Sequence, residues 1–157
     1  MTPKRPQDSF TEMVQVVLPN DANPLGFMLG GSVMHLVDIA GAIACNRHTR
    51  TPMLTAAVDG LQFLHPIRIG DLIILRATVT AAFNTSLEVE VEVYSEGWRT
   101  GERTLTTFAY LTFVSVDEQG RRIPVPPLHL ETPAEQAKAK AAAERRTARL
   151  AAKARKS

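Results

Sequence analysis

The segment 30–45, GGSVMHLVDIAGAIAC, limits what this chain can fold into more than any other stretch. Across 33–45 every residue except His35 and Asp38 is apolar or small. A helix over 32–47 therefore has almost no face suited to water, and such a helix is stable only when other elements wrap it. A lone carboxylate in that setting is costly unless a donor holds it, so Asp38 is the first residue to single out.

The rest of the chain supplies the wrapping. Residues 10–18 read as a strand, and PNDANPLGFMLGG is a turn-rich loop leading into the helix. Four strand-like runs follow at 54–64, 71–83, 86–94 and 104–116, separated by HPIRIGD, FNTS and SEGWRTGE. In the third run Glu88, Glu90 and Glu92 alternate with Leu87, Val89, Val91 and Val93, the pattern of an antiparallel sheet with one wet face. The expectation is an α+β domain in which one long antiparallel sheet curls around one buried central helix.

At 157 residues and a formal charge of +2, one domain with a single core is expected. No apolar run approaches 18 residues and MTPKRPQDSF lacks a signal-peptide apolar block, so a soluble, cytoplasmic chain without membrane insertion is expected. The single cysteine, Cys45, excludes an intramolecular disulfide framework and reads as a small core residue. His48, His65 and His129 have no metal-ligand spacing, so no metal is expected.

Residues 138–157 hold eight Lys or Arg against Glu144 alone, a charge of +7 that leaves −5 on the remainder. This tail is Ala-rich with Leu150 as its only large apolar residue, so it reads as a solvated or frayed helix. Its charges are not interleaved with aromatics, which argues against specific nucleic-acid binding.

Four blocks, DANPLGFMLGGSVMHLVDIAGAIACNRH, TAAVDGLQFLHPIRIGD, NTSLEVEVEV and FAYLTFVSVDEQGRRIPVPPL, occur in the order found in the hotdog-fold acyl-CoA thioesterases. The chain resembles that family, which includes YciA and the cytosolic long-chain acyl-CoA hydrolases, over roughly residues 10–130. The resemblance implies a hotdog domain over 1–131, a helical basic tail over 132–157, and hydrolysis of fatty acyl-CoA to free fatty acid and coenzyme A. It implies Asp38 as general base or nucleophile and Asn23 of the pre-helix loop as the second catalytic residue. The amide of Gly31, with Gly30, would be the oxyanion donor. Thioester hydrolysis independently calls for a carboxylate and oriented donors, which these residues would supply.

By the same resemblance Val58, Asp59 and Gly60, together with the turn Asn84, Thr85 and Ser86, bind the substrate. Asn84 stands where the family usually has glycine, and asparagine tolerates left-handed backbone angles. Arg68, Arg76, Arg99 and Arg103 are candidate phosphate partners, and His35 reads as substrate-lining or interfacial. No cofactor is implied, since coenzyme A is part of the substrate. A homodimer is implied with the active site at its seam, Asn23 of one subunit facing Asp38 of the other, and a trimer of dimers beyond it. A non-enzymatic acyl-CoA-binding regulator and a hotdog dehydratase or hydratase stay open as alternatives.

Overall fold

Leu87, Val89, Val91 and Val93, the apolar half of the alternating run, are all fully buried. They belong to β4 (Ser86–Glu96), the middle strand of the sheet. A computed structural model describes residues 1–156. A single turn of helix, α1 (Pro6–Ser9), precedes β1 (Thr11–Val16), a 3-10 turn (Pro19–Asp21) and the long helix α2 (Gly30–Thr49). Then come β2 (Met53–Phe63), β3 (Leu72–Ala82), β4, β5 (Arg103–Ser115) and the C-terminal helix α3 (Pro133–Lys156). The five strands form one sheet in the order β1-β3-β4-β5-β2, antiparallel throughout. The order strand, helix, four strands is thus the observed one, and α1 is an addition to it.

α2 lies against the inner face of the sheet through Val33, Val37, Ala40, Gly41, Ala44 and Cys45. Each fully buried Val or Leu contributes about 1.5–3 kcal/mol. Gly41 marks the closest approach: a Cβ there would lie 3.1 Å from both Phe113 and Val89 side chains, which explains a glycine in mid-helix. Another side of α2 stays open, with Met34, Asp38, Ile39 and Ala42 half-buried and Ile43 exposed. The helix ends at Arg50, whose left-handed φ of 55° closes the last turn with a 2.6 Å bond from its N–H to the Asn46 carbonyl.

The outer face of the sheet departs from expectation. It was expected to be wet, yet Glu88 is 2% exposed because α3 lies across it. Arg145 reaches both Glu88 carboxylate oxygens at 2.9 Å, Lys138 reaches Glu90 at 2.8 Å and Arg149 reaches Asp59 at 2.7 Å. Positions 138, 142, 145 and 149 share one side of the helix, with Ala142 buried between the cations. The tail has Leu150 as its only large apolar residue but covers the sheet with arginine stems and ion pairs, so it is a docked helix. Ala143, Thr147, Ala148 and Ala151 face outward instead.

Candidate active site

The loop before α2 is built around Asn23. Its side-chain oxygen accepts from the N–H groups of Leu25 (3.0 Å) and Phe27 (3.1 Å), its own N–H donates to the Phe27 carbonyl at 2.8 Å, and its carbonyl accepts from Gly26 at 3.0 Å. This is the turn chemistry asparagine is suited to. It commits Oδ1 to the loop and leaves Nδ2 as a donor with no partner among the described residues.

The loop delivers the chain to α2 with Leu29 as N-cap and no side-chain cap. The first N–H groups to bond are those of Ser32 and Val33, both to Leu29 (3.0 and 3.1 Å), so the Gly30 and Gly31 amides precede the helical ladder. Nothing lies within 4 Å of where a Gly31 Cβ would stand, whereas at Gly30 the Phe63 ring is 3.4 Å away. Asn23, Gly30, Phe63, His65 and Thr107 line one cavity of about 350 Å³. His35 is exposed and lies with Gly31, Gln15 and Asp21 in a separate hollow of about 400 Å³.

Asp38 stands two turns further on, half-buried on the open side of α2. The hydroxyl of Thr55, on edge strand β2, donates to its Oδ1 at 2.7 Å. Oδ2 has no partner among the described residues. A single protomer therefore brings Asn23 and Gly30 together, and places Asp38 with Thr55 outside that cavity. Thr55 escaped the sequence reading: nothing in MLTAAVDG distinguishes it from a threonine chosen for strand propensity.

The other expected residues are spread along the sheet. β2 carries two irregularities, between Thr55 and Ala57 and between Asp59 and Gln62. Val58 pairs with buried Leu111 and is itself 40% exposed, while the side chain of Asp59 is ion-paired to Arg149 on the outer face. Gly60 has φ 61°, and a Cβ there would lie 3.3 Å from the Tyr110 ring. The 84–86 turn is held by its carbonyls, Asn84 accepting from Val125 (3.0 Å), Thr85 from Ser115 (2.9 Å) and Ser86 from Phe83 (2.8 Å). Among the described residues Arg50 is the only non-glycine with positive φ, so Asn84 does not use the left-handed angles considered for it.

Two of the candidate phosphate partners are already engaged, Arg76 with Glu12 and Arg103 with Glu96, each at 3.1 Å. Arg68 lies over Phe27 and Arg99 over Trp98. Cys45 is fully buried and burial pushes its thiol far up, in keeping with a core residue. Among the described residues no group of His, Cys, Asp and Glu could hold a metal ion, and no helix is long and apolar enough to cross a membrane.

A family model described as the Thioesterase superfamily matches residues 25–102. The acyl-CoA thioester hydrolase YkhA of Bacillus subtilis, itself called uncharacterized, is 39% identical over 74% of this chain and 67% of its own. The human cytosolic acyl coenzyme A thioester hydrolase is 35% identical over 79% of this chain, which spans only 33% of that protein. Among solved structures, an apo-hexameric acyl-CoA thioesterase superposes with a TM-score of 0.92 at 36% identity, covering 98% of this chain and 99% of that one. The acyl-CoA hydrolase of Staphylococcus aureus, solved with butyryl coenzyme A, coenzyme A and coenzyme A disulfide, superposes with a TM-score of 0.88 at 31% identity, covering 98% of this chain and 95% of that one. Variants of that enzyme with an aspartate, an asparagine or a threonine replaced by alanine have also been solved.

Proposed function

This chain belongs to the thioesterase superfamily, among the hotdog-fold acyl-CoA thioester hydrolases, and on that premise we propose that it hydrolyses fatty acyl-CoA with Asp38 as the reacting carboxylate. The observation that carries this assignment is the Thr55–Asp38 hydrogen bond on the open side of an otherwise apolar helix. Thr55 fixes one oxygen and leaves Oδ2 directed to chemistry. In one course Oδ2 takes a proton from water as the water attacks the thioester carbonyl carbon; in the other Oδ2 attacks and forms a mixed anhydride that water then hydrolyses. In both, the carbonyl electrons move to oxygen, return as the C–S bond breaks, and leave coenzyme A thiolate. The Gly31 amide, with Gly30, is the donor set for the developing oxyanion.

Asn23 is assigned as the second catalytic residue through its unengaged Nδ2, and the spacing Asn23, Asp38, Thr55 equals that of the three residues replaced in the Staphylococcus aureus enzyme. Since one protomer keeps Asn23 apart from Asp38, the complete site forms at a dimer seam, Asn23 of one subunit facing Asp38 of the other. Edge strand β2, with Leu54, Val58 and Phe63 exposed, and Ile43 of α2 offer the apolar surface for that seam. A trimer of dimers is the proposed assembly, in line with the hexameric relative. Val58, Asp59, Gly60, Asn84, Thr85 and Ser86 are proposed to form the coenzyme A groove, with no cofactor beyond the substrate and a cytoplasmic setting. Residues 1–131 form the hydrolase domain in this reading and 132–157 its appended tail. Neither a regulator nor a dehydratase is favoured by the relatives.

Steady-state release of coenzyme A from acyl-CoAs of graded chain length, by wild type and Asp38→Ala, tests the assignment. Hydrolysis by wild type that is lost in Asp38→Ala supports it; equal rates on every thioester refute it.

A further inference from the structure

We propose that α3 is a positioning element of the acyl-CoA site: Arg149, through Asp59, and Arg145, through Tyr110, hold the irregular stretch of β2 in the geometry that binds coenzyme A. This rests on the assignment of β2 to the substrate groove.

The need for such a brace follows from topology. β2 is an edge strand whose backbone ladder, among the described residues, is with β5 alone. Between Asp59 and Gln62 its register with β5 slips, so the ladder is weakest where Gly60 turns to φ 61°. Two residues of α3, one turn apart, reach this stretch. Arg149 donates to Asp59 at 2.7 Å. The Arg145 guanidinium stands 3.6 Å from the centroid of Tyr110 on β5, the ring that a Cβ at Gly60 would approach to 3.3 Å. Arg145 is itself fixed by Glu88, and Glu88 by the Thr80 hydroxyl at 2.7 Å. The chain of contacts therefore runs from a buried carboxylate in mid-sheet to the irregular edge.

These contacts are on the outer face, whereas Val58, next to Asp59, pairs with buried Leu111 and is partly open on the inner face. Asp59 and Arg149 thus act on the groove through the backbone. The pair is partly exposed, a class that adds little to overall stability, so its effect is expected in geometry. Thr55 and Asp38 lie beyond the other irregularity of β2, between Thr55 and Ala57. Loosening residues 59–62 should therefore weaken substrate binding and leave the chemical step nearly intact.

The test is Arg149→Gln in the full-length chain. If the unbraced stretch holds its binding geometry roughly a tenth to a third of the time, Kd for coenzyme A by titration calorimetry and KM for acyl-CoA both rise about 3- to 10-fold. The expected kcat stays within about two-fold of wild type, the split expected when uniform binding is lost. Arg149→Lys should restore most of the affinity. Unchanged Kd and KM in Arg149→Gln overturn the proposal, as does a fall in kcat without a rise in Kd. A loss confined to Asp59→Asn also overturns it, since Asp59 would then meet the substrate itself. Calorimetry with coenzyme A needs no turnover, so a wild type that binds it but hydrolyses nothing refutes the functional assignment and leaves this proposal measurable.

Discussion

Replacing Arg145 with methionine isolates the contact that docks α3. The substitution keeps a flexible stem over Tyr110 but removes both donors at 2.9 Å from Glu88, a carboxylate only 2% exposed. Glu88 then keeps one hydrogen bond, from Thr80 at 2.7 Å. Stranding a buried charge in this way costs about 3–5 kcal/mol when the surroundings stay closed. Here they need not, because α3 can lift and let water reach Glu88, so its docking free energy caps the loss and about 3 kcal/mol is the expected value. For a chain of this length that lowers Tm by about 6–12 °C. Urea unfolding at neutral pH and fixed protein concentration reads the change directly. Adding Glu88→Gln should recover more than half of the loss, because a neutral amide keeps the Thr80 bond and carries no stranded charge. A loss below about 0.5 kcal/mol, of the size surface pairs give, or a double variant as unstable as Arg145→Met, would refute the reasoning.

His48 should make stability pH-dependent. It is buried with Nε2 2.7 Å from the Pro126 carbonyl, which can only accept, so Nε2 carries the proton and orphaned Nδ1 has none. Burial holds its pKa below the ordinary 6.5. The folded chain refuses a proton that the unfolded chain takes, so the contribution is complete above pH 6.5 and is lost as pH falls below it. Thermal scans from pH 7.5 to 5 should show a steeper decline for wild type than for His48→Gln; parallel declines would contradict this. At the site, Thr55→Ala removes a hydrogen bond to a charged group, about 1.5–3 kcal/mol, which should lower kcat roughly 10- to 100-fold. Thr55→Ser should retain most activity, and an unchanged kcat in Thr55→Ala would assign the threonine to strand packing alone.

What could be read in the sequence follows from which forces are local. The alternation in 86–94 and the near-uniform apolarity of 33–45 are periodic signals, and they fixed a sheet around a helix, the order of elements and Asp38 as the anomalous residue. The covered outer face has no such signal, because alternating glutamates are the pattern of a solvated face and a helix with one large apolar side chain is the pattern of an undocked one. The ion pairs from Arg145 and Arg149 join residues 57 and 90 positions apart, which no periodicity reports. Thr55 was missed for the same reason, its tie to Asp38 being a product of strand register. At Asn84 the expectation of a glycine-like turn came from residue type, and the backbone shows that the turn is closed by carbonyl contacts instead.

The central claim is a site completed by two subunits, Asn23 from one and Asp38 from the other. Co-expressing Asp38→Ala and Asn23→Ala chains and assaying the mixed oligomers tests it most directly. In a mixed dimer one seam keeps both residues and the other keeps neither, so random pairing predicts recovery to about one quarter of wild-type activity from two inactive parents. Mixed oligomers no more active than the parents would contradict the shared site.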